Sequence, residues 1–183
     1  MIFLTQPEIR QATIFTRLPD RFRQPDERNP WSQANRGGQP VDSFLEGPVW
    51  HPSGCLYVTD IPYGRIFRVD PSGDWELIVQ YPGEPNGMKL VGEDTLLITD
   101  YRHGLMKLCL SERTVTPWLS RRNSESFRGV NDLTILPTRG RPGCTIPPGA
   151  STGCPGKESS TCCWITVPAR TGWCSRRMKT FCM

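Results

Sequence analysis

Three residues stand at matched places in this sequence and could meet at one centre. Glu46 precedes Gly47 in Leu45-Glu46-Gly47-Pro48, and forty residues on Asn86 precedes Gly87 in Glu84-Pro85-Asn86-Gly87-Met88. Asn131 lies in Gly129-Val130-Asn131-Asp132-Leu133, where the pattern begins a third time. One carboxylate and two side-chain amide carbonyls make a hard, oxygen-rich donor set, which suits a divalent cation and no soft metal. Ca²⁺ fits such a set best, with Zn²⁺, Mg²⁺ and Mn²⁺ as further candidates. A plainer reading competes, because Asn-Gly and Asn-Asp are also turn dipeptides that hold strained backbone. It weighs most on Asn86.

The other polar residues read more simply. Asp132 adjoins the site, but an aspartate there more often braces its own loop. His103, in Tyr101-Arg102-His103-Gly104, and His51, beside Pro52, fall at turns. Arg65 and Arg68 alternate along a strand, which reads as a solvated face.

Glu46, Asn86 and Asn131 converge only if the chain repeats a unit that points each toward a common axis. From Phe44 onward it does repeat. Cys55–Asp60, Arg65–Asp70 and Trp75–Gln80 are strand-like runs separated by Gly64, Pro71-Ser72-Gly73 and Pro82-Gly83, with a short strand at Val49–His51 in front. Leu96-Leu97-Ile98-Thr99-Asp100 follows Leu56-Tyr57-Val58-Thr59-Asp60 by forty residues, Gly104 follows Gly64, and Val115–Leu119 stands where Trp75–Val79 stood. Four short strands in about 40–45 residues is the period of a β-propeller blade. Two such repeats could also form a sandwich, but the turns share the register as well as the strands. The expected fold is therefore all-β, a propeller of which this chain holds about two and a half blades. Blades are expected over about 44–81 and 84–120, followed by the inner strand of a third. Equivalent positions on neighbouring blades then face the central channel, each just before the innermost strand.

Composition agrees with many short strands. The chain has 183 residues, enough for one domain, with 17 glycines and 18 prolines. Residues 1–40 read as an N-terminal arm with one outer strand at Ala12–Arg17, and 41–138 as the propeller region. Twenty-two basic against 18 acidic side chains leave +4, spread without a basic block, so neither nucleic acid nor a polybasic membrane surface is expected as a partner. A mean hydropathy of −0.43 argues against a membrane span, and the first residues lack the basic start and apolar stretch of a signal peptide. The expected location is the cytoplasm.

The stretch Phe44-Leu45-Glu46-Gly47-Pro48-Val49-Trp50 through Asp60, then Pro85-Asn86-Gly87-Met88, then Val130-Asn131-Asp132-Leu133, resembles the SMP-30/gluconolactonase/luciferin-regenerating-enzyme family. The likeness covers about residues 12–137. It implies a six-bladed propeller with one divalent cation on the axis, a lactonase that hydrolyses sugar-acid lactones or related esters. It makes Glu46 the first-blade metal carboxylate and Asn131 the asparagine that reaches metal and substrate. Asn86 takes a rim position on the substrate side. An asparagine in a Pro-Asn-Gly-Leu motif and an aspartate complete the family's ligand set in later blades, and this chain offers no position for either. No general base can be named. The implied partner is a small-molecule lactone; a propeller that binds a small ligand or protein without catalysis is the alternative, since a fold does not determine an activity.

Residues 139–183 match nothing in the repeat, and six of the eight cysteines crowd there: Cys144, Cys154, Cys162, Cys163, Cys174 and Cys182. Their spacing fits no paired zinc pattern, and a disulfide module sits poorly with an intracellular chain. A slipped reading frame accounts for them. Read one base earlier, Trp173 into Cys174 must give Val, Met178 into Lys179 must give Glu, and Phe181 into Cys182 must give Leu. The codons from Thr171 on then permit Asn-Gly-Leu-Val-Leu-Thr-Pro-Asp-Glu-Asp-Val-Leu-Tyr, which restores the missing metal asparagine. The segment is expected to be an out-of-frame, disordered tail and the chain an inactive fragment.

Overall fold

Glycine-bounded turns break the chain from residue 45 into strands of five to seven residues, too short for anything but hairpins. In the computed structural model these become two antiparallel four-stranded sheets. The first holds β1 (Leu45–Trp50), β2 (Leu56–Asp60), β3 (Arg65–Val69) and β4 (Trp75–Gln80), in that spatial order. The second holds β5 (Pro85–Val91), β6 (Thr95–Asp100), β7 (Gly104–Cys109) and β8 (Thr114–Leu119). The structure describes residues 8–26, 28–122, 125–136, 162–165 and 179–182. Two up-and-down sheets of equal build, forty residues apart, are successive blades of a propeller.

Side chains alternate across the sheets, and both faces are buried. Tyr57 and Ile66 point to one side of the first sheet while Val58 and Phe67 point to the other. Val49, Cys55, Tyr57, Ile66 and Ile78 meet Met88, Leu96, Ile98, Met106 and Leu108 of the second sheet, and this seam is the main core. Leu97 on the far side of the second sheet packs on Leu133, so a third layer begins there.

That third layer is a three-stranded sheet of β11 (Thr134–Leu136), β12 (Cys162–Ile165) and β13 (Lys179–Cys182). A two-stranded ribbon, β9 (Arg121–Arg122) with β10 (Glu125–Ser126), precedes it. Eight residues of the 139–183 segment are thus extended where an irregular tail is expected; Cys162-Cys163-Trp164-Ile165 is a β-prone run in whichever frame it arose. The rest of that segment, with Cys144, Cys154 and Cys174, lies outside the described residues.

The free face of the first sheet is covered by the arm. Leu18 and Phe22 pack on Val58, Phe67, Val69 and Trp75, with ring centroids of Phe22 and Phe67 5.0 Å apart. No strand forms at Ala12–Arg17, contrary to expectation. The segment is held by side chains instead: Thr16 Oγ1 donates to the Gly73 carbonyl (2.9 Å), and the Trp75 indole donates to Thr16 Oγ1 (3.1 Å). A short helix, α1 (Pro30–Arg36), follows. Its start and stop are written in the sequence: the Asn29 side chain accepts from the amides of Trp31 and Ser32, Pro30 opens the first turn, and Gly37 ends it at φ 62°. Asn29 also donates to the Pro62 carbonyl (2.9 Å), which seats the helix on the turn after β2.

Candidate functional site

Glu46 and Asn86 are the second residues of the innermost strands β1 and β5, inside the ladder where the sequence suggests a place just before it, while Asn131 precedes β11. Each inner strand carries a bulge at this point. Between Glu46 and Val49 two residues face Val58 alone, and between Pro85 and Met88 two residues face Thr99 alone. A bulge turns a side chain out of the strict in–out alternation; Asn86 lies within its bulge, whereas Glu46 directly precedes its own and pairs with Thr59.

The blades press together at the bulges. A Cβ added at Gly47 would lie 2.1 Å from the Asn86 carbonyl oxygen, and one added at Gly87 would lie 2.9 Å from that of Asn131. Only glycine lets the strands approach so closely. The Asn86 side-chain amide donates to Oδ1 of Asn131 at 2.5 Å, and the Gly87 amide donates to the Asn131 carbonyl at 2.9 Å. Asn86 and Asn131 therefore meet side chain to side chain, and the backbone next to Glu46 approaches the Asn86 carbonyl at Gly47. Glu46 and Asn131 are exposed and Asn86 half-buried, so their oxygens are open to a ligand.

Two threonines stitch the blades behind this row. Thr59 lies directly opposite Glu46 in the β1–β2 ladder, and its hydroxyl donates to the Asn86 carbonyl (2.9 Å). Thr99 lies opposite the Asn86-Gly87 bulge, accepts the Gly87 amide (2.8 Å) and donates to the Asn131 carbonyl (2.8 Å). The next residue in each case is a fully buried aspartate. Asp60 accepts the Phe44 amide (2.7 Å), and Asp100 accepts the Glu84 amide (3.0 Å), each two residues ahead of a candidate ligand. The sequence marks Thr59-Asp60 and Thr99-Asp100 as register points only. A polar pair ending two otherwise apolar strands is the signal that they also hold something.

The two aspartates are neutralised differently. Asp60 pairs with Arg65, which faces it in the β2–β3 ladder and is 2% exposed. Arg65 is thus no solvated residue, contrary to the alternation argument; its guanidinium also donates to the Phe22 carbonyl (2.7 Å) and lies 4.7 Å from the Tyr63 ring. Arg68 follows expectation more closely, in a half-exposed pair with Glu76 (2.7 Å). Asp100 has no arginine opposite it and is satisfied by the Tyr81 hydroxyl (2.8 Å) and the amides of Arg102 and His103 (2.8 Å each). Burial and the Asp100 charge together push the Tyr81 hydroxyl far above its usual range.

The remaining residues stay structural. His51 bridges Ser53 and the Glu93 carbonyl, and His103 contacts the Pro82 carbonyl (2.8 Å). Asp132 accepts the Leu133 amide (2.7 Å) and lies 3.7 Å from Lys89, so it braces the loop that carries Asn131. Among the described residues no three His, Cys, Asp or Glu side chains cluster so as to hold a metal ion. A cation at the site would depend on amide oxygens beside Glu46, and a donor set of one carboxylate and two amides fits a hard cation and nothing softer. No helix among the described residues is long and apolar enough to cross a membrane.

A comparison with curated proteins finds no match. A family model described as SMP-30/Gluconolactonase/LRE-like region matches residues 44–141, a span that begins at the first blade and takes in Glu46, Asn86 and Asn131. That span is more than half of the chain, and with two propeller blades in register the chain belongs to the SMP-30/Gluconolactonase/LRE-like family.

Proposed function

We propose that the propeller begun by this chain is a divalent-metal-dependent lactone hydrolase acting on sugar-acid lactones or related esters in the cytoplasm. The observation that carries the proposal is the row of three oxygen-bearing residues at the same register of successive blades, two of them already in contact. In this reading Glu46 supplies the charge that holds a Ca²⁺-like cation. The amide oxygens of Asn86 and Asn131 complete its side of the sphere, and their N–H groups orient a lactone's ring oxygen and hydroxyls. A bound dication would polarise the lactone carbonyl and acidify a water. Asp132 braces the Asn131 loop and takes no proton in this scheme.

We propose further that the 183-residue chain does not turn over a lactone. Hard dications take about six to eight oxygen ligands, and the described residues bring three side-chain donors with one formal negative charge. The frame shifted after about residue 138 would add a fourth donor, the asparagine that the codons permit in Asn-Gly-Leu.

The test is hydrolysis of gluconolactone by the frame-restored chain, with EDTA and then with added Ca²⁺. Activity lost to EDTA, regained with Ca²⁺ and abolished by Glu46→Gln without loss of fold is the expected result. Full turnover by Glu46→Gln would remove Glu46 from the site. A folded, metal-loaded chain that hydrolyses no lactone would favour the non-catalytic binding propeller.

A further inference from the structure

We infer that Thr59 and Thr99 are positioning residues that set the spacing of Glu46, Asn86 and Asn131, an inference that rests on the oxygen-donor site proposed above. Both side chains are completely buried, each next to last in a largely apolar strand. Valine has the same branched shape and suits a buried strand without a hydroxyl to desolvate. A threonine at both places, forty residues apart, therefore calls for what the hydroxyl does.

In each case the hydroxyl reaches out of its own blade. Thr59 pairs with Glu46 across the ladder and donates to the carbonyl of Asn86 on the next blade. Thr99 takes the Gly87 amide at the Asn86 bulge, and its hydroxyl lies nearer the carbonyl of Asn131 beyond it (2.8 Å) than the Gly87 carbonyl of its own blade (3.1 Å). The sense is the same both times: the strand partner of one donor grips the backbone of the next. The atom gripped belongs to the donor residue itself, so a shift there swings the side-chain oxygen directly. Gly47 and Gly87 bring the strands close enough for these bonds, and Asp60 and Asp100 fix where each inner strand starts. The Asn86 side chain and the Gly87 amide also reach Asn131, but the threonine hydroxyls are the buried side chains that grip the donors' own carbonyls from the strand behind.

The side-chain amide of Asn86 reports on this spacing without any metal, because it donates to Oδ1 of Asn131. The experiment is ¹⁵N NMR of the full 183-residue chain as wild type, Thr99→Val and Thr99→Ser. In wild type and Thr99→Ser the Asn86 side-chain amide should be shifted from free-amide values and slow to exchange. In Thr99→Val it should move to free-amide values and exchange about tenfold faster, the equivalent of one lost hydrogen bond, while the β2 and β3 amides keep their protection. An Asn86 signal unchanged in Thr99→Val, or changed equally by serine and valine, overturns the inference. Should Thr99→Val fail to give a folded spectrum, Thr59→Val against Thr59→Ser is read in the same way through the Asn86 carbonyl. Adding Ca²⁺ to the same samples separates the two readings. Threonine-dependent positioning with no response to Ca²⁺ supports the threonines' role and removes the metal centre.

Discussion

Tyr81 and Asp100 show how a buried carboxylate is held without a cation. The Tyr81 hydroxyl stays protonated in the folded chain because burial and Asp100 both oppose its ionisation, whereas the unfolded chain loses that proton near the ordinary value of 10.0. A raised folded pKa contributes stability that is complete below the unfolded value and is lost as pH climbs past it. Stability should thus fall from about pH 10 upward. Tyr81→Phe should be less stable at neutral pH, having left Asp100 one donor short, yet lose less on going to alkali. Tyr57 and Tyr63, also shifted upward by burial, keep the slope from vanishing. Urea midpoints at about pH 8 and about pH 11 decide the matter; equal alkaline losses in the two proteins would contradict it. Arg65→Met makes the opposite point, since it strands the Asp60 charge inside. Removing one partner of a buried pair costs about 3–5 kcal/mol, and thermal or urea unfolding should show a loss of that order. A loss near zero would mean the pair is not formed.

At the scale of the element, the inner strands are set by two glycines and two bulges. Gly47 sits at φ 54° with the Asn86 carbonyl against its α-carbon, so alanine there meets both a clash and a left-handed backbone. Gly47→Ala should destabilise by about 2–5 kcal/mol, combining overpacking with left-handed strain. Gly92, at φ 70° with open space around it, carries only the backbone term and should lose about 1–2 kcal/mol as alanine. Equal losses at the two positions would remove the claim that the blades touch at Gly47. Much of this level was legible beforehand. Strand-forming apolar runs and turn glycines placed the strands, because the central strands of each sheet are buried and their ends are sharp. The arm was not legible as irregular, since Thr16 and Arg21 tie it down through side-chain bonds that leave no period in the sequence. Helix α1 carried its signals in Asn29-Pro30 and Gly37, but it is too short for a periodic apolar face. Arg65 was misplaced because strand alternation assumes that one face is wet, and here the arm covers it.

For the molecule as a whole, the repeat register suggested a row of donors, and the structure places Glu46 on β1, Asn86 on β5 and Asn131 in the loop before β11. It could not show that Thr59 and Thr99 link them, because a contact between blades belongs to no single repeat. The central claim is that Glu46, Asn86 and Asn131 belong to one divalent-cation site, and calorimetric titration of the 183-residue chain with Ca²⁺ tests it most directly. Three donors with one charge should bind weakly, on the order of a millimolar dissociation constant, and Glu46→Gln should abolish the heat of binding while the chain stays folded. Identical isotherms for wild type and Glu46→Gln would contradict the account.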